Sequence, residues 1–301
     1  MLAASAFVVP ACSSTPAAEP YHPVDEPETP PALGVLVTNL DRLLSQWIDV
    51  KLKPPSPRND GRRSGLEIEL AKLVHARFDE LRTELETSAR LRNREVLAAA
   101  LGFSHQPEAL NPLVNALADP DPGVREHALL GLGVLADPHT PLDVVVDALR
   151  FGDTEGTQAN AAFALYRLAA AGARMDEALP ALRTALTHRN PAVRVQAAAA
   201  LGEVRDSSSL PDLVAMLQDG RALAAAAAAN ALGRIGDPTS VAPLVDALSA
   251  KEIAVRREAR GALTRIAGGT DLGSEPGPWK VWQRRMEVSG APAPASGPAT
   301  R

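Results

Sequence analysis

The side chains best suited to nucleophilic attack, metal ligation or proton transfer near neutral pH are one cysteine, Cys12, and six histidines, His22, His75, His105, His127, His139 and His188. A nucleophile needs a base within hydrogen-bond reach, and a metal needs several ligands at short, regular spacing. The histidines are scattered, with no HExxH and no Cys/His cluster, and His75 with Asp79 one turn further on reads as a solvated helix pair. No GxxxxGK[ST] or GxGxxG stands between a strand and a helix. The expectation is a chain that is not an enzyme and holds no metal or cofactor.

Cys12 has a different setting. It follows a small apolar stretch and precedes a Ser/Thr/Pro/Ala tract in MLAASAFVVPACSSTPAAEP. The segment Val9-Pro10-Ala11-Cys12 resembles a bacterial lipobox, with a branched apolar residue three before the cysteine and a small one directly before it. That resemblance implies a lipoprotein signal over residues 1–12, acylation of Cys12, and a protein anchored on the periplasmic side of the cell envelope. The competing reading is an amino-terminal tail with an incidental cysteine, in a cytoplasmic protein. Residues 13–32, rich in Pro, Ala, Ser and acidic side chains, hold too little apolar surface to order themselves and read as a tether. With a single cysteine, no disulfide links two parts of the chain.

A length of 301 residues with 46% hydrophobic and 22% charged content suits a soluble globular protein. Aromatics make up only 3%, and no alternating Val/Ile/Thr-rich segments predict strands. The net charge of -5 argues against nucleic acid, whose phosphates require clustered Lys and Arg. No apolar run reaches the roughly 18–20 residues needed to span a membrane.

Residues 33–88 predict an amino-terminal helical cap. Leu36, Leu40, Leu43, Leu44, Trp47 and Ile48 fall at helical spacing, and prolines 54, 55 and 57 end that helix. After a polar RNDGRRSG linker, Leu66, Leu70, Leu73, Val74, Phe78, Leu81 and Leu85 predict one longer helix. Residues 89–270 repeat. The strings AAALGF, LLGLGVL, AFALYRL, AAALGEV, NALGRIG and GALTRIA place Leu101, Leu132, Leu165, Leu201, Leu232 and Leu263 in register, 31 to 36 residues apart. Between them LNPLVNAL, LDVVVDAL, LPALRTAL, LPDLVAML and VAPLVDAL form a second series. Each unit is an Ala-rich helix, a turn, a Leu/Val-rich helix and a second turn. Asp-Pro and Asn-Pro pairs supply an N-cap and a first helical residue at the turns. Such helix pairs cannot bury their faces alone and must stack.

Units bearing DPDPGVREHALLGLGVLADP, NPAVRVQAAAALGEV and GDPTSVAPLVDAL resemble the short HEAT-like repeats of phycobilisome lyase subunits and other bacterial proteins. The resemblance implies an all-α, armadillo-type α-solenoid of about five to six units. It also implies that Arg94, Arg125, Arg194 and Arg256, near the start of the first helices, are structural struts to an aspartate or carbonyl in a neighbouring turn. Gln158 and Ala225 replace the arginine in the third and fifth units. Residues 271–288, with Trp279 and Trp282 on one helical face, resemble the tryptophan-bearing caps that follow such arrays, and residues 289–301 read as a disordered tail.

Outward positions of the second helices align as Asn115, Asp147, Thr184, Ala215 and Asp246, with Asn111, Asp143 and Asp212 nearby; Asn111, Asn115, Asp143, Asp147, Asp212 and Asp246 form a polar to acidic ridge. The expected function is a monomeric, non-catalytic scaffold that presents this ridge to a protein partner, with the membrane reached through the lipid anchor. The alternatives are a chromophore lyase-like subunit, implied by the family association, and a HEAT-type nucleic-acid-binding protein, which the acidic charge disfavours.

Overall fold

The computed structural model describes residues 32–51 and 56–289. Cys12, the tether up to residue 31 and the tail from residue 290 lie outside them. Every regular element among the described residues is helical. In chain order these are α1 (Leu33–Lys51), α2 (Pro57–Ala76), α3 (Phe78–Thr87), α4 (Leu91–Ala100), α5 (Leu110–Ala116), α6 (Pro122–Leu135), α7 (Leu142–Phe151), α8 (Glu155–Ala170), α9 (Leu179–Ala185), α10 (Pro191–Glu203), α11 (Leu210–Gln218), α12 (Ala222–Ile235), α13 (Val241–Ala247), α14 (Ile253–Ile266) and α15 (Pro276–Ser289).

They form a two-layer α-solenoid. The Ala-rich first helices α4, α6, α8, α10, α12 and α14 each pack along the next, and the shorter second helices α5, α7, α9, α11 and α13 each lie on the first helix that follows them. All six register leucines, Leu101 to Leu263, are fully buried in the seam. A buried leucine contributes roughly 1.5–3 kcal/mol over an exposed one, and here the burial exists only because units touch.

Small side chains set the spacing of the first layer. A Cβ on Gly131 would stand 2.1 Å from the Ala98 carbonyl oxygen, and one on Gly233 would stand 2.5 Å from Ala262 Cα. The second helices carry Leu and Val instead and barely meet one another. That splaying opens grooves along the second layer.

The turns follow from their residues. Asp121 and Asn190 cap α6 and α10 by accepting from the Gly123 and Ala192 amides at 2.8 and 2.9 Å, with Pro122 and Pro191 in the first helical position. Asp237 does the same for a single 3₁₀ turn, residues 238–240, that leads into α13. Asp137 accepts from the His139 amide but starts no helix, and α7 begins only at Leu142, after Pro141.

The cap differs from the expectation in two places. Its linker is helical: Ser56 accepts from the Asn59 amide and Pro57 fills the first position, so α2 starts at residue 57, where capping outweighs the cost of exposed Gly61 and Gly65. The single long helix is also broken. Arg77, with φ -138°, separates α2 from α3, and its guanidinium pairs with Glu80 at 2.5 and 2.7 Å. After this break α3 packs on α4 and α5 in the manner of a second helix. Helix α1 lies against α2 and α4, where Trp47 meets Phe103 edge-on at 5.2 Å and donates to Glu67 at 2.9 Å. At the other end α15 packs on α13; Trp279 is fully buried and donates to the Gly273 carbonyl at 2.8 Å, with Trp282 edge-on at 5.9 Å.

Candidate protein-binding face

The arginines at the starts of the first helices share one geometry. Arg125 Nη1 donates to the carbonyls of Asp119 and Pro120 at 2.8 and 3.0 Å, Arg194 to those of His188 and Arg189 at 2.6 and 3.1 Å, and Arg256 to those of Ala250 and Lys251, both at 2.7 Å. Arg94 reaches the Ser88 carbonyl at 3.0 Å. Each guanidinium thus satisfies carbonyls five or six residues back, in the linker that leaves a second helix, where backbone acceptors lack helical partners. Arg94 also forks onto Asp119 at 2.9 and 3.3 Å, and Arg125 pairs with Asp153, so two struts bridge successive linkers. In the unit with Gln158 the Thr154 hydroxyl caps α8 by accepting from the Thr157 amide, and before Ala225 the Asp219 carboxylate accepts from the Arg221 amide, both at 2.9 Å.

These struts floor two grooves between splayed second helices. One, about 680 Å³, lies between α3 and α5, with Leu85, Glu86 and Asn115 on its walls and Arg94 and Asp119 in its base. The next, about 350 Å³, lies between α5 and α7 and is more apolar: Val114, Leu117, Leu129, Val144 and Ala148 line it, Asp147 stands on its rim, and Arg125 and Asp153 close one end. Phe151 is 74% exposed at its edge.

All six ridge residues, Asn111, Asn115, Asp143, Asp147, Asp212 and Asp246, are exposed on second helices. Only Asn115 and Asp147 reach a groove wall. Asp212 lies near Arg183, which forks onto Asp206 at 2.7 and 2.6 Å and holds that carboxyl below the usual carboxylate range. Phe151 escaped the sequence reading. It ends the second helix at the place where other units have Asp119, His188, Asp219 and Ala250, so its signal was one aromatic in a column of polar and small residues.

A second feature lies on the cap. Lys51, at the end of α1, sets its Nζ 3.4 Å from the ring centre of Phe163 in α8 and 5.3 Å from that of Trp47. Burial, and after it the nearby Arg167 charge, lowers its pKa to about 7. No cavity adjoins this amine among those described. The described histidines form no cluster: His75 meets Gln106 at 2.9 Å and His139 meets Asp137 at 2.9 Å. Among the described residues no group of three or more His, Cys, Asp or Glu side chains could hold a metal ion, and no helix is long and apolar enough to cross a membrane.

A family model described as HEAT repeats matches residues 78–166, 142–227 and 211–274. No curated protein sequence matches the chain. Among solved structures, Kap121p is 17% identical with a TM-score of 0.58 over 77% of this chain, which spans 29% of Kap121p. YibA of Escherichia coli is 16% identical with a TM-score of 0.51, covering 75% of this chain and 81% of that one. The complex of CpcE and CpcF of phycocyanin lyase from Nostoc is 20% identical over 91% of this chain and 99% of that one, with a TM-score of 0.46, too loose a likeness to support an argument about activity. At these identities the likeness is one of fold.

Proposed function

The chain belongs to the HEAT-repeat family, and from that premise we propose that it is a non-catalytic scaffold whose second-helix layer holds a protein partner, tethered to the bacterial cell envelope through an acylated Cys12. The observation that carries the reading is the groove between α5 and α7. It combines an apolar floor, a solvent-exposed aromatic and a rim carboxylate, the mix of anchor pocket and polar edge that protein interfaces use. Exposed Phe151 has no packing role that requires it there, and a large aromatic left in water beside an apolar groove marks a contact surface. A partner with a basic or polar rim and an apolar core suits it.

Affinity capture from the native envelope fraction tests both parts. The wild-type chain should retain a defined protein that a Phe151→Ser, Asp147→Lys variant of equal thermal stability loses, and the recovered chain should begin at an acylated Cys12. Equal recovery by the wild type and the variant removes the groove from the reading. Recovery of only full-length, unacylated chain removes the lipid anchor.

A further inference from the structure

Helix α15 leaves the solenoid with an unpartnered face of opposite character to the groove. Trp279 is buried against the stack, while Val281 is 42% and Val288 89% exposed, and Arg284 and Arg285 stand between them. These four residues, at helical spacings of three and four, line one shallow concavity of about 360 Å³. The stripe is apolar and basic. The groove between α5 and α7 is apolar with an acidic rim: Asp147 borders it, Asp143 stands outside it one turn back on the exposed face of α7, neither has an ion pair among the described residues, and Arg125 in the groove is already neutralised by Asp153. Glu287, the one acidic side chain of α15, is engaged by Gln283 at 3.0 Å.

We propose that the occupant of this groove is the α15 stripe of a second copy of the chain, with Val281 and Val288 against the apolar floor and Phe151, and Arg284 and Arg285 facing Asp143 and Asp147. The proposal rests on the groove being a protein-binding face and names what binds. Charge complementarity selects the pairing, because two copies of the stripe repel each other, as do two copies of the groove rim. The two surfaces lie on different parts of the chain, so the pairing closes in a two-fold dimer where both contacts form reciprocally and otherwise runs head to tail into rings or chains. The monomer expected from the sequence is then the dilute, high-salt form.

Sedimentation of the full chain across concentration, at low and at 0.5 M salt, tests this with two charge-reversed variants, Arg284→Glu with Arg285→Glu and Asp143→Lys with Asp147→Lys. The wild type should associate into dimers or larger species with concentration, and salt should weaken the association. Each variant alone should need at least a tenfold higher concentration to associate. An equimolar mixture of the two should recover wild-type association, since reversed stripe meets reversed groove and native stripe meets native groove. A wild type that stays monomeric, variants that associate unchanged, or a mixture that fails to recover would each overturn the proposal. A monomeric wild type that still captures a foreign protein through Phe151 and Asp147 leaves the scaffold reading standing. Loss of binding to anionic vesicles as the only effect of the α15 variant would assign the stripe to a lipid surface instead and likewise overturn the self-association.

Discussion

Replacing Lys51 by methionine should stabilise the protein, and by an amount that depends on pH. The amine is pushed down to about 7 from 10.5 by burial and by Arg167. At 1.36 kcal/mol per pH unit, carrying the charge into the fold costs roughly 5 kcal/mol. The sign follows from proton counting. Because the folded pKa is the lower one, the folded state binds fewer protons than the unfolded chain between about pH 7 and 10.5. Stability of the wild type therefore rises with pH through that window, and below it the full penalty applies. Methionine keeps the length and apolar contact of the stem without the charge. In urea titrations at pH 6, Lys51→Met should be more stable by about 5 kcal/mol, and the gap should narrow to about 2 kcal/mol by pH 9 and close only near pH 10.5. Other titrating groups are common to both proteins and cancel. The same gap at both pH values, or a less stable variant at pH 6, would show that the amine is neither desolvated nor opposed by Arg167.

Three further outcomes follow from the stack. Gly131→Ala places a Cβ 2.1 Å from the Ala98 carbonyl oxygen and should cost about 1–3 kcal/mol in denaturant unfolding, because α4 and α6 must separate. Ala136, at φ 50°, ends α6 in the left-handed region where Gly236 ends α12, so Ala136→Gly should raise the unfolding free energy by about 1 kcal/mol. Arg183→Met should cost about 2 kcal/mol at pH 7 by leaving buried Asp206 without its fork. Since Arg183 holds the Asp206 carboxyl low, that contribution is complete above about pH 4 and is lost as pH falls through the lowered value; a variant-to-wild-type difference that does not shrink on acidification would contradict it.

The register of the repeats was legible because burial enforces it: every leucine placed in the first series is buried in the seam, and Asp121 and Asn190 cap where Asp-Pro and Asn-Pro stood in the sequence. The break at Arg77 was not legible. Leu66 to Leu85 keep helical spacing across it, and only tertiary contact of α3 with α4 and α5 settles that the chain turns there. The extent of α2 was misjudged because Gly61 and Gly65 look like linker, while a Ser-Pro start cap decides. For the binding face, periodicity put the six ridge residues on one side of the second helices, and their exposure agrees with that pattern. Which of them border a groove depends on how far the second helices splay, a distance set by side-chain volume in both layers and visible only in three dimensions. Lys51 lay beyond reach for the same reason, since Phe163 is more than a hundred residues away in the chain.

If the second-helix layer is the contact face, partners must lie within reach of its side chains. A photoreactive residue placed singly at Asn115, Asp147 and Phe151 on that layer, and at Leu223 and Arg257 on exposed first-helix positions, tests it most directly in cells. Crosslinks to a protein, a second copy included, should form from the first three positions and not from the last two. Crosslinks from Leu223 and Arg257 with none from the grooves would contradict the claim.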